Sequence, residues 1–352
     1  MAKVVIGDIN AFTGGYLYEK KLVEYLRTRG VEADVVSLPN LPYALLPLCN
    51  LWLGYHLRGR NYDVVIEDEM AHPAVWLYNL WSRRVAKHRV VAIVHMFRSV
   101  ACEGEWQEPF IRLMEKAMLR SSDLVVANSG HTREQAQRMG VRPDAITVVY
   151  PGFDTNLVRR RPSRESDEVR LLFVGNWDPR KGLETLVDAF LRLDRPNVGL
   201  DVVGDETFYP RYARRVRRKA SQGKLESRIR FHGRVGREAV AEFYSQADVF
   251  VLPASYEPFG IVFAEAMSFG LPVIAANAGG VLELVEHGRN GLLVPPGDVD
   301  ALAGAIDTLV SDVQLRHQLG ERSYERSRQL NTWEDCFQAI HGHLTQLLND
   351  GK

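Results

Sequence analysis

The chain has 352 residues, more than one hydrophobic core usually organises, so two domains are expected. Hydrophobic residues at 46% and charged residues at 25% are ordinary globular values, and 44 Lys plus Arg balance 44 Asp plus Glu to a net charge of +0. That balance argues against a nucleic-acid binder, which usually carries a basic excess. No apolar run is long enough to span a bilayer. Cys49, Cys102 and Cys336 lie far apart in the chain, with no CxxC or metal-ligand spacing, and read as reduced thiols of a cytosolic protein.

The amino terminus, Met1 to Asp8, reads as a first buried strand rather than a signal peptide. Thr13-Gly14-Gly15 and a helix to about Arg29, ended by Gly30, follow it. Further short β-branched runs fall at 33–37, 62–67, 90–95, 124–128 and 146–150, with helical patterns between most of them. Such runs are typical of strands buried on both faces, joined by right-handed crossovers in a parallel sheet. Residues 159–168 carry no apolar side chain and read as a linker. Beyond them the pattern restarts at 170–175, 200–204, 229–233, 249–252, 273–275 and 291–294. The expected architecture is therefore α/β, with two Rossmann-like doubly wound domains facing across a cleft. The first spans 1–158 and the second 169–332. A last helix, about 333–352 with Thr332 as its N-cap, is expected to return to the first domain.

Neither a G-x-G dinucleotide fingerprint nor a P-loop is present, and nothing suggests a metal centre. The most informative stretch is Glu257 to Glu265. Glu257 lies in the turn after a buried strand, and Glu265 is expected about two turns into the next helix. Ligands of doubly wound domains bind at these carboxyl ends. Gly260 allows close backbone approach, and the helix start offers N–H groups to an anion. In the matching turn of the first strand of that domain, Arg180 and Lys181 stand just before a helix, which suits a diphosphate better than plain surface charge. Gly14-Gly15 is either a phosphate-binding turn or an ordinary tight turn. His95 ends an apolar strand on the ligand edge of the first sheet. Which acid of Glu67-Asp68-Glu69 carries chemistry stays open. Asn277 to Glu283 and Phe231 to Val235 offer further strand-end loops, the second with room for a flat base.

Two stretches have plain explanations. Residues 211–219 read as an amphipathic helix with a solvated basic face. Residues 41–57, apolar and aromatic with Arg58 and Arg60 after them, read as a helix buried on the first sheet. The competing reading is a peripheral contact with the inner face of a membrane or with a greasy acceptor.

In this order and spacing, the motifs resemble those of retaining glycosyltransferases of family 4, which have the GT-B architecture. The carriers are the E-x7-E of Glu257 and Glu265, Gly14-Gly15, Pro179 to Gly182, Pro151 to Asp154, and Ala276 to Gly280 with Glu283. The resemblance implies a hexose moved from a UDP- or GDP-sugar to a hydroxyl acceptor with retention, without a cofactor or a required metal. It assigns Glu265 to the ribose and Arg180 and Lys181 to the diphosphate, helped by Gly14 and Gly15. Glu257 and the Phe259-Gly260-Ile261 backbone are assigned to the sugar, and His95 to the sugar and acceptor. Val235 is placed in the donor-binding set. A non-catalytic nucleotide-sugar module and a GT-B epimerase are the alternatives. Base, sugar and acceptor are not encoded in these motifs.

Overall fold

The computed structural model describes residues 1–9, 14–57, 60–83, 88–155, 168–193, 195–221 and 226–350. It divides into two compact units, Met1–Gly152 with Asn331–Lys352, and Phe153–Leu330. The expected linker 159–168 lies, apart from Glu168, outside the described residues. The first unit ends at Gly152, earlier than position 158. Gly152 is pinned there: a Cβ on it would stand 2.3 Å from the Thr332 carbonyl carbon.

The first unit holds β1 (Ala2–Ile6), β2 (Asp34–Leu38), β3 (Val64–Asp68), β4 (Arg89–Val94), β5 (Leu124–Ala127) and β6 (Ile146–Val148). All pair in parallel, in the order β2-β1-β3-β4-β5-β6. Val4, Val65, Ala92 and Val125 are fully buried at its centre, as expected of strands covered on both faces. The strand order reverses between β1 and β3, which opens a crevice beyond their carboxyl ends.

The second unit holds β7 (Val169–Val174), β8 (Val198–Val203), β9 (Ile229–Gly233), β10 (Val249–Leu252), β11 (Val273–Ala276) and β12 (Gly291–Val294). These are again parallel, in the order β12-β11-β10-β7-β8-β9. The chain winds outward from β7 through β9, then resumes on the other side at β10. The reversal therefore falls between β7 and β10, which pair directly, Val249 with Leu171 and Phe250 with Leu172. All twelve runs read as strands are strands, with ends shifted by a residue or two.

The last helix, Trp333–Asn349, begins with a capping box in which the Thr332 hydroxyl and the Asp335 carboxylate satisfy each other's backbone N–H. It belongs to the first unit and packs on the helix Gly14–Thr28. Trp333 and Phe337 stack at 5.4 Å, and both meet the Tyr18 ring edge-on at 5.8 and 5.4 Å. Phe337, Ile340 and Leu344 are buried, each stabilising the dock by about 1.5–3 kcal/mol.

Candidate active site

In the second unit, the turn after β7 meets the turn after β10. Asp178 caps the short turn Pro179–Lys181, accepting from the Arg180 N–H at 2.9 Å, and its other oxygen holds the Arg180 guanidinium at 2.6 Å. Gly182 ends that turn at φ 71°, with Pro253 O only 2.2 Å from where a Cβ would stand. The Ser255 N–H then donates to Arg180 O at 2.8 Å. These contacts lock the two turns together, and the Lys181 ammonium forms an ion pair with the Glu257 carboxylate. Four charges, of Asp178, Arg180, Lys181 and Glu257, thus converge at the point where the strand order reverses.

The stretch from Glu257 is more buried than its polarity suggests. Glu257 itself is 8% exposed and Phe259 3%. Gly260 stands at φ 94°, and a Cβ there would press within 2.6 Å of the Phe263 ring, so only glycine fits. The helix begins after it, at Ile261, and runs to Ser268. Glu265 is therefore little more than one turn into the helix, not two, because Gly260 cannot be helical at positive φ. Gly279, at φ 70°, packs against Glu257 from the other side, and the Gly280 N–H donates to Glu257 O at 2.8 Å. The two glycines thus support the Glu257 backbone. Glu265 accepts from the Tyr244 hydroxyl at 3.1 Å, with the Arg237 guanidinium 3.9 Å away and itself paired with Asp154. Burial raises its pKa; Arg237 and Tyr244 offset part of that rise.

In the first unit, His95 lies just past β4 rather than within it. Its Nε2 is 2.8 Å from the Glu19 carboxylate, whose other oxygen pairs with the Lys3 ammonium at 2.6 Å. Lys3 and Glu19 are fully buried, whereas the His95 side chain keeps 16% exposure. Tyr18 meets the imidazole edge-on at 4.7 Å, and the Asn128 amide donates to His95 O at 2.8 Å. Ligand-type atoms of Glu19, Asp68 and His95 lie within 4.8 Å of one another. Burial pulls the His95 pKa down, but the bonded Glu19 carboxylate and nearby Asp68 prevail and the net shift is upward. For Glu19, burial is outweighed by Lys3 and His95, and the shift is downward.

The acid triplet separates into three environments. Glu67 accepts from the Asn79 amide at 2.7 Å in the core. Asp68 joins the His95 group and caps Met70. Glu69 joins His72 and Glu115 in a second, fully buried group. Burial pushes Glu69 and Glu115 each up to about 8 and His72 down to about 4.

The remaining residues are less committed. Gly14 and Gly15 open the first helix, and a Cβ on Gly14 would meet nothing within 4 Å, so local packing does not require glycine there. Val235 follows β9, half-buried against the core. His232 pairs with Asp201 at 2.7 Å. The basic helix Pro210–Ala220 buries Tyr212, Val216 and Ala220 and pairs Arg215, Arg217 and Lys219 with Glu184, Glu206 and Asp188, which is the solvated-face reading.

Two Rossmann-like units of these topologies in one chain are the GT-B architecture of glycosyltransferases. The chain belongs to that group as a family 4-type enzyme. Residues 14–157 match the model described as Glycosyltransferase Family 4, and residues 154–326 that of Glycosyl transferases group 1. A glycosyltransferase of Methanocaldococcus jannaschii without assigned function is 30% identical, the match covering 93% of this chain and 87% of that one. D-inositol 3-phosphate glycosyltransferase of Corynebacterium glutamicum is 28% identical, over 94% of this chain and 83% of its own. Among solved structures, sucrose-phosphate synthase from Thermosynechococcus elongatus is 26% identical with a TM-score of 0.86, covering 100% of this chain and 99% of its own. Anabaena HepE in complex with UDP-glucose, 24% identical over 98% of this chain and all of its own, shares the fold at a TM-score of 0.81.

Proposed function

We propose that the chain transfers a hexose, with retention, from a nucleoside-diphosphate sugar to a hydroxyl acceptor. The observation that carries this reading is the Lys181–Glu257 ion pair at the β7/β10 reversal, with Arg180 beside it. Arg180 and Lys181 would take the diphosphate and stabilise the charge that develops on it as the glycosidic bond breaks. Glu257 would release Lys181 to the phosphate and accept from sugar hydroxyls, with the Phe259-Gly260-Ile261 backbone alongside. Glu265 would hold the ribose and Val235 would border the base. From the first unit, His95 and the Gly14-Gly15 turn take the roles given by the family resemblance. Among the described residues, both groups with metal-ligand spacing lie in the first unit. In this reading the two cations, rather than a metal, stabilise the leaving diphosphate.

The UDP-glucose complex of the HepE fold neighbour favours a uridine donor. A thermal-shift panel of uridine, guanosine and adenosine diphosphates and their sugars tests this, because a ligand of the native state raises its apparent stability. Stabilisation by one nucleotide series is expected, followed by transfer or slow donor hydrolysis that EDTA leaves unchanged. Binding without turnover would favour a non-catalytic module. Neither binding nor turnover with any donor would overturn the proposal.

A further inference from the structure

The helix Cys49–Leu57 contradicts the rule that a helix apolar all round should be buried. One side is indeed buried: Cys49, Leu53 and Leu57 face the core. The other side carries Leu51, Trp52 and Tyr55, continued by Leu48 in the turn just before the helix, an exposed stripe with Leu51 80% and Tyr55 82% exposed. The neighbouring helix His72–Ser82 repeats the pattern, with Leu77, Leu80 and Trp81 exposed. The two helices are fastened together. The Asn50 side-chain oxygen accepts from the Leu77 and Tyr78 N–H groups at 2.9 and 3.0 Å, and its amide donates to Pro73 O at 3.0 Å. Gly54 lies against the Tyr78 ring, where a Cβ would sit at 3.4 Å. The Trp52 ring stacks on His56 at 4.8 Å. The exposed stripes are therefore built on a rigid base, and contiguous apolar surface of this kind marks an interaction site.

The charge pattern indicates what covers it. Between Val35 and Tyr62, and again between Met70 and Cys102, there is no Asp or Glu, in a chain where acids and bases are equal in number. Those same segments carry Arg58, Arg60, Arg83, Arg84, Lys87, Arg89 and Arg98. Arg60 and Arg83, just beyond the two helices, are exposed; Arg60 pairs with Asp34 at 3.5 Å, and Arg89 pairs with Asp123 at 3.1 Å. Leucine with tryptophan and tyrosine on an outer helical face, in segments that carry cations and no acids, is the chemistry of a surface that rests on anionic lipid headgroups. We infer that the outer face of Cys49–Leu57 and His72–Ser82 docks the protein on the surface of an anionic lipid bilayer, without crossing it. Among the described residues no helix is long and apolar enough to cross a membrane. The inference stands apart from the donor chemistry and concerns the first unit alone.

The test is co-sedimentation of the full chain with phosphatidylcholine vesicles, with and without phosphatidylglycerol. Binding is expected to the anionic vesicles at low salt and to weaken at high salt. Leu51→Gln with Tyr55→Gln should lower the partition coefficient at least about tenfold, and Arg83→Glu at least about fivefold. Both variants should keep the wild-type Tm and the same thermal shift with donor nucleotide. That second readout separates failure of this inference from failure of the transferase reading. Absence of binding to anionic vesicles, or binding that the double variant leaves unchanged, would overturn the inference. So would a concentration-dependent dimer, seen by light scattering, that the double variant abolishes while vesicles are ignored.

Discussion

The two sheets each gather charge where their strand order reverses, but they do so differently. In the second unit the charges sit in turns, largely covered but in contact with water, and paired with neighbours: Arg180 with Asp178, Lys181 with Glu257. In the first unit, Lys3 from β1 and Glu19 from the helix after it are fully buried, and only His95 reaches the edge. Pairs of the first kind, still reached by water, contribute less to stability than fully buried ones and can be exchanged for a ligand. A buried pair of the second kind is costly to break and holds its partner in one place and one charge state.

That contrast is broken most severely at Glu19. Glu19→Gln should destabilise the first unit by about 3–5 kcal/mol, because buried Lys3 loses the carboxylate paired with it at 2.6 Å. Lys3→Met combined with Glu19→Gln should recover most of that loss in a urea titration. It should not recover the state of His95. By ring NMR, the His95 pKa should lie above 6.5 in the wild type and fall in the double variant. The sign follows from linkage: a raised histidine stabilises fully below 6.5, and that contribution is lost as pH rises through the folded value. The depressed Glu19 acts oppositely, its contribution being lost as pH falls through its folded value. If His95 titrates identically in both proteins, the buried pair is structural only.

Lys181→Met addresses the other side of the comparison. A drop in kcat/KM of about 10²–10³ is expected, the scale for removing one group that stabilises developing charge. The Tm should stay within about 2 °C, since Lys181 is partly exposed and its pair contributes roughly 0–1 kcal/mol. A large loss of stability with intact turnover would mean the pair is a structural staple, like Lys3–Glu19.

The two sites also differed in how much the sequence disclosed. In the second unit, Asp178 to Gly182 and Glu257 to Glu265 are short continuous runs whose polarity interrupts buried strands, so pattern and turn chemistry located them. The twelve strands were legible for the same reason, as apolar runs between turn signals. Around His95 the partners come from β1, the first helix and β3. Lys3 was a single polar residue in an apolar strand, a signal that could have been weighed; Glu19 looked like any helix acid. The acids Glu67, Asp68 and Glu69 could not be told apart because their directions depend on Asn79, His95 and His72, each supplied by another element. Nor could sequence show Gly279 supporting Glu257, since that contact joins two turns more than twenty residues apart.

Glu69 and Glu115 extend the contrast to a group with no open edge. Both carboxyls are pushed up to about 8 by burial, so folding favours their protonated forms. Stability should be present below about 4.5 and be lost as pH rises through about 8. Glu69→Gln keeps the shape and removes the ionisation. We expect no change in stability at pH 5 and a gain of roughly 1–3 kcal/mol at pH 9, the usual cost of a buried group without partners. A variant equally destabilised at both values would show that the Glu69 charge is needed in the fold.

The smallest expected effect sharpens the second unit. Tyr244→Phe removes the hydroxyl that donates to Glu265 at 3.1 Å and, more weakly, to Val262 O at 3.3 Å. A hydrogen bond of this kind contributes about 1 kcal/mol net, so donor affinity should fall about fivefold if Glu265 holds the ribose as an ionised acceptor. The pH dependence gives a second reading. Burial already raises Glu265, and losing Tyr244, which lowers it, should raise it further. Donor binding should therefore fail at a higher pH on acidification than in the wild type. A loss of affinity with no movement of that acid limb would mean that Tyr244 merely packs beneath the site, and the ribose assignment of Glu265 would have to be given up.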